Sequence, residues 1–129
     1  MKNPQKNGSS VSDKTRQKIL RATGKVYAQV GYRAMTLRQV TYEAKVNLAA
    51  VNYHFGSKLN LMRALLRYRF EPINQERRLL LKQQVETCAP DPLPLTTIYD
   101  TLFRPLFTGI DSASVDDTNL IQIIGRALT

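Results

Sequence analysis

Histidine occurs once in this chain of 129 residues, at position 54, and cysteine once, at position 88. One histidine cannot build a metal site, and Cys88 is far along the chain, so neither a metal nor a cofactor is expected. A single cysteine forms no internal disulfide, which fits a reducing compartment. No pair of carboxylates, nucleophile–base pair or metal cluster stands out, so enzymatic activity is not expected. Gly56-Ser57-Lys58 lacks the G-x-x-x-x-G-K-S/T frame of a phosphate loop. The start, MKNPQKNGSS, has no apolar run of the signal-peptide kind. No stretch approaches the roughly 18 uncharged apolar residues of a membrane span. The expectation is a soluble cytoplasmic protein. β-alternation, internal repeats and coiled-coil heptads are also missing, which leaves an all-α chain.

Acids are scarce in one half only. Residues 1–69 carry 14 lysines and arginines against two acids, Asp13 and Glu43, a net of +12. Residues 70–129 carry five against eight, a net of −3. One half attracts a polyanion and the other does not. Excess lysine for solubility alone would not be partitioned in this way.

Residues 1–11 read as a disordered basic arm, with Ser10 or Ser12 available to cap a helix. Ile19, Ala22, Val26, Tyr27 and Val30 then recur at spacings of three and four, the mark of one buried helical face. Gly31 accepts the left-handed backbone that stops a helix. Thr36 and Gln39 form a T-x-x-Q capping box that opens a second helix with Leu37, Val40 and Ala44 inward. Lys45 and Val46 make a turn, and Asn47 caps a short third helix from Leu48 to about Tyr53. Gly56 ends it. Ser57 caps a fourth helix with Leu59, Met62, Leu65 and Leu66 inward. Two short helices joined by so tight a turn are the helix-turn-helix pattern. Pro72 predicts a kink or break near Phe70–Glu71. Residues 89–95, APDPLPL, read as a linker. Thr96 or Thr97 caps a fifth helix limited or bent by Pro105. A last helix carries Leu120, Ile123, Ile124 and Leu128.

Within this basic half, VNLAAVNYHF at 46–55 is almost uncharged. A helix that enters the major groove brings donors and small apolar groups to base edges. Leu48, Ala49 and Ala50 give it a slim first turn, and alanine can touch a thymine methyl. Asn52 can donate and accept in the plane of an adenine edge. Asn47 is chiefly a cap. Tyr53, His54 and Lys58 fall at the far end, where phosphates lie and fix register.

With these residues in view, 15–66 resembles the DNA-binding domain of the tetracycline-repressor (TetR/AcrR) family of bacterial transcription regulators. The matching residues are Arg16, Ile19, Leu20, Ala22, Gly31, Thr36, Ala44 and Val46, then His54-Phe55-Gly56-Ser57-Lys58 and Leu61. The stretch NLAAVNYHFGSK is most similar to the branch that includes regulators of fatty-acid metabolism. The resemblance implies a three-helix DNA-binding domain with residues 47–53 as recognition helix and 37–44 as its support. It places Thr36 and Leu37 beside phosphate at a helix N-terminus and makes Arg38 a base or phosphate contact. Tyr53 and His54 would touch the DNA backbone, and Lys58 would pair with phosphate. Two residues depart from the family pattern. Lys45 stands where glycine is usual, and Asn52 where tyrosine is usual, which makes Asn52 a candidate base reader.

The resemblance also implies a domain plan. Residues 12–66 are the DNA-binding domain, and 67–129 are part of a helical ligand-binding and dimerisation domain. Family members normally continue well past the point where this sequence stops, and the helices that pair the subunits are expected to be missing. The expected partners are an operator in double-stranded DNA, an apolar small-molecule effector such as an acyl chain, and a second copy of the chain. The functional expectation is a sequence-specific regulator, of repressor type and controlled by a small molecule. The alternative is a truncated interaction protein that binds relatives or another partner through uncovered apolar faces. Those faces include Leu102, Phe103, Leu106, Phe107, Ile123 and Ile124.

Overall fold

Five helices appear in the computed structural model, which describes residues 6–108 and 122–126. They are α1 (Lys6–Ala34), α2 (Leu37–Ala44), α3 (Leu48–Phe55), α4 (Lys58–Cys88) and α5 (Leu95–Thr108), and residues 122–126 form one further helical turn. No strand occurs among the described residues. Residues 6–66 and 122–126 belong to one compact unit and residues 67–108 to another. Segment 122–126 therefore groups with the first unit, whereas the sequence assigned it to the second domain.

The first unit is built on the apolar stripe of α1. Ile19, Leu20, Ala22, Val26, Tyr27 and Ala28 are buried, as are Val40 and Ala44 of α2, Val51 and Phe55 of α3, and Leu61, Met62 and Leu65 of α4. Thr23 is buried within this stripe, and its hydroxyl donates to the Ile19 carbonyl at 2.7 Å. That local bond satisfies a polar group inside an apolar core. Val30 and Leu59, expected inward, are partly exposed: Val30 lies in the last turn before the Gly31 break and Leu59 in the first turn of α4.

Helix α1 starts at Lys6, so the expected disordered arm is helical from residue 6 onward; residues 1–5 lie outside the described residues. The helix is interrupted at Gly31 (φ 77°, ψ 172°), as the stop signal predicts, and a short turn follows to Ala34. Met35 N–H donates to the Gly31 carbonyl at 3.0 Å. Ahead of the break, Arg126 caps α1 from far along the chain. Its Nε donates to the Ala28 carbonyl and its Nη2 to the Gln29 carbonyl, each at 2.8 Å. Carbonyls at a helix C-terminus lack intrahelical partners, and a guanidinium satisfies two at once. Ile123 of the same segment is fully buried, contrary to the expectation that it would be uncovered. Leu120 and Leu128 lie outside the described residues.

The helices run on through both prolines, so neither Pro72 nor Pro105 makes the break that is one of the two outcomes expected of it. Pro72 sits within α4 and Pro105 within α5. A proline deletes one i to i−4 bond, but the rest of a 31-residue helix persists around it, and Met62, Leu65 and Ile73 remain buried on either side. The linker holds: α4 ends at Cys88 and α5 begins at Leu95. The Pro94 carbonyl accepts from Thr97 N–H at 3.0 Å and Ile98 N–H at 3.1 Å. Thus α5 starts before the threonines expected to cap it. Within the second unit, Arg77 ties α4 to α5, its Nε donating to the Leu102 carbonyl at 2.8 Å.

Candidate nucleic-acid interface

Helices α2 and α3 are eight residues each, too short to persist alone in water. Their ends are fixed by caps. Thr36 and Gln39 form the reciprocal box: Thr36 Oγ1 accepts from Gln39 N–H at 3.2 Å, and Gln39 Oε1 accepts from Thr36 N–H at 2.8 Å. With the Thr36 amide engaged, the amides of Leu37 and Arg38 are the ones without intrahelical partners at this end. Asn47 Oδ1 accepts from Ala50 N–H at 2.8 Å to start α3. Gly56 (φ 76°, ψ −38°) ends α3, its N–H donating to the Asn52 carbonyl at 2.9 Å. Ser57 Oγ accepts from Asn60 N–H at 3.1 Å and caps α4.

The turn between α2 and α3 is closed by Lys45 in the left-handed conformation (φ 54°, ψ 48°). Lys45 N–H donates to the Tyr42 carbonyl at 3.3 Å and Val46 N–H to the Thr41 carbonyl at 3.1 Å, a Schellman-type ending. A side chain in this conformation costs about 1 kcal/mol, which glycine would avoid. The strained residue is a cation, and it lies on the surface beside α3.

Helix α3 divides cleanly. Val51 and Phe55 are buried. Opposite them, Leu48 is 50% and Tyr53 83% exposed, and Asn47, Ala49 and Asn52 are exposed as well. Ala50 and His54 are half-buried. The exposed face is thus slim at its N-terminal end, amide-bearing in the middle and aromatic at the far end. The Tyr53 and His54 rings meet edge-on with centroids 5.1 Å apart. On the segments that adjoin α3 in the chain, Arg38 and Lys45 are exposed and Lys58 is half-buried. Thr36 is exposed and Leu37 half-buried. The single fold unit that holds all eleven predicted site residues therefore gathers them onto α2, α3 and the first turn of α4.

Two aromatic supports escaped the sequence reading. The Arg16 guanidinium lies over the Phe55 ring, 4.8 Å from its centroid, and the Lys58 ammonium lies over the Tyr32 ring at 4.5 Å. Cations over ring faces are attracted by the ring quadrupole. Each pair is far apart in sequence, so no spacing pattern could have revealed it. Lys58 opens α4, whose first turn contains no acid. A cation there faces the positive end of the helix dipole, unfavourable by about 0.3–1 kcal/mol until an anion arrives. Elsewhere Lys25 is engaged by Glu43, which removes one of the unit's few acids from the exposed field.

Among the described residues, no group of three or more His, Cys, Asp or Glu could hold a metal. No helix among them is long and apolar enough to cross a membrane. Cys88 is a free, half-buried thiol at the end of α4.

Comparison with known proteins covers the stretch of chain that holds these helices. The family described as "Bacterial regulatory proteins, tetR family" matches residues 19–65. The chain is similar to the HTH-type transcriptional repressor NicS of Pseudomonas putida, 34% identical over 64 residues, 50% of this chain and 30% of that protein. It is also similar to the HTH-type transcriptional regulator SrpR of Pseudomonas putida, 36% identical over 62 residues, 48% of this chain and 29% of that one. The matched stretch thus spans under a third of each relative.

Proposed function

We propose, from the match of residues 19–65 to the tetR family of bacterial regulatory proteins, that the chain binds double-stranded DNA at specific sequences and represses transcription. The observation that carries this reading is the exposed, uncharged face of α3 on a chain segment bounded by the cations Arg38, Lys45 and Lys58. Amide side chains and small apolar groups can read base edges, and cations and helix amides hold phosphates. On this reading α3 lies in the major groove. Leu48, Ala49 and Ala50 bring the backbone close, and Asn52 pairs with a base edge. Asn47 caps the helix next to the bases. Tyr53, His54, Lys58 and the Thr36–Leu37–Arg38 end of α2 hold the phosphate backbone. Repression as the sign of control rests on the printed name of the repressor NicS. The second unit would respond to an apolar small molecule, and the working species on an operator would be a homodimer.

Selection of bound sequences from a random DNA pool tests this reading. A palindrome with half-sites about one helical turn apart is expected of a dimer, whereas a single half-site indicates a monomer. With about six phosphates contacted, log K should fall against log salt with a slope near −5. No enrichment, or an affinity indifferent to salt, would defeat the proposal. Replacing Asn52 with alanine should change preference among sequences, while Lys58→Ala should weaken all duplexes alike.

A second reading is supported by the second unit. Leu95, Tyr99, Leu102, Phe103 and Phe107 of α5 are all exposed, and the Tyr99 and Phe103 rings stack at 4.3 Å. Apolar surface of this kind marks an interaction face. On that reading the protein associates with relatives or another partner and binds operator DNA only weakly. Size-exclusion chromatography with light scattering separates the two: a clean monomer that takes up no partner removes the second.

A further inference from the structure

We infer that Tyr32 is a positioning residue for DNA binding: its ring holds the Lys58 ammonium at the phosphate-facing edge of the domain. The inference rests on the DNA-binding reading of Lys58 and adds a residue outside the helix-turn-helix to it.

Three observations converge. Lys58 Nζ lies 4.5 Å from the centroid of the Tyr32 ring. Lys58 stands in the first turn of α4, capped by Ser57 and containing no acid, so neither its helix dipole nor a neighbouring carboxylate in that turn restrains its ammonium. Tyr32, for its part, is fixed by its backbone. It follows Gly31, whose φ of 77° breaks α1, and the bond from Met35 N–H to the Gly31 carbonyl spans it. Met35 is buried and anchors that turn to the core. Tyr32 is still 38% exposed, so its ring is a ledge at the surface and not a core residue.

A lysine side chain carries many rotamers, and ordering it on a phosphate loses their entropy. A ring face beneath the ammonium confines it before DNA arrives while leaving its hydrogens available to an anion. The ring does this through its π-face, which phenylalanine also has. The hydroxyl of Tyr32 is not required.

Fluorescence anisotropy of the full chain on a labelled 30-base-pair duplex of mixed sequence tests the inference, because a phosphate contact is felt on any sequence. Lys58→Ala should weaken binding and reduce the salt slope by about 0.9. Tyr32→Leu should weaken binding about threefold, the scale of an exposed cation–π pair, and Tyr32→Phe should retain the parental affinity. In a Lys58→Ala background, Tyr32→Leu should have no further effect. In the free protein, the Lys58 Hε resonances should be shifted upfield by the ring, should stay so in Tyr32→Phe and should move to ordinary values in Tyr32→Leu. A loss in Tyr32→Phe equal to that in Tyr32→Leu would assign the role to the hydroxyl and overturn the inference. So would a threefold loss that persists without Lys58, the signature of a merely structural residue. An unchanged affinity in Tyr32→Leu, with Lys58→Ala weakened, overturns it alone. An unchanged affinity in Lys58→Ala overturns the phosphate assignment of Lys58 together with it.

Discussion

The two units of this chain treat their apolar residues in opposite ways. In the first, fourteen apolar side chains described on α1, α2, α3, the start of α4 and segment 122–126 are buried, and the ends of α2 and α3 carry caps. In the second, Ile73, Thr101 and Pro105 are the buried residues among those described, while Leu79, Leu81, Val85, Leu95, Tyr99 and Phe107 meet solvent. The difference teaches that apolar content does not make a core; convergence of short, capped helices on one stripe does. Charge follows the same division. The basic half carries the finished module, and the acidic half carries the uncovered one.

The contrast breaks most directly under truncation. Leu61→Ala, at a fully buried site, should cost about 2–5 kcal/mol in urea unfolding, whereas Phe107→Ala should fall within about 0.5 kcal/mol of the parent. Equal costs would mean that the second unit is as well packed as the first. Next in size is the capping box: Thr36→Ala should destabilise the first unit by about 1 kcal/mol, read as a lower denaturation midpoint with an unchanged slope. Lys45→Gly should act with the opposite sign, stabilising by about 1 kcal/mol through relief of the left-handed strain while weakening DNA binding through the lost cation. If it stabilises without weakening binding, Lys45 lies off the DNA.

The smallest effect lies in the second unit. The Arg78 guanidinium, 2.9 Å from Glu71 Oε1, holds the Glu71 carboxyl below the usual carboxylate range. Its contribution to stability is therefore present above the ordinary carboxylate pKa and is lost as pH falls through the depressed value. Because the Glu71–Arg78 pair lies at the surface, the effect on unfolding should be barely measurable. The direct readout is the carboxyl chemical shift of Glu71, whose titration midpoint should rise in Arg78→Gln. An unmoved midpoint would remove the ion pair as its cause.

What could be read in advance follows from the range of each interaction. Caps act over three residues, so Thr36 with Gln39, Asn47, Gly56 and Ser57 announced the bounds of α2 and α3 in the sequence itself. The period of α1 marked Ile19, Ala22, Val26 and Tyr27 as its inward face for the same reason. At Pro72 and Pro105 the sequence leaves break and bend open, and the helices continue through both because each proline deletes one local bond while many others hold. The ledge under Lys58 and the clasp by Arg126 were illegible, since each joins residues that only the folded chain makes neighbours.

That clasp bears on how the protein is made. Arg126 closes the end of a helix 97 and 98 residues upstream of it. Chains emerge from the ribosome N-terminus first and fold unit by unit. The three-helix module is therefore translated and collapsed while the guanidinium that finishes α1 is still unsynthesised, and water must solvate the Ala28 and Gln29 carbonyls in the interval. Completion of α1 waits on a residue translated 97 positions after Gln29.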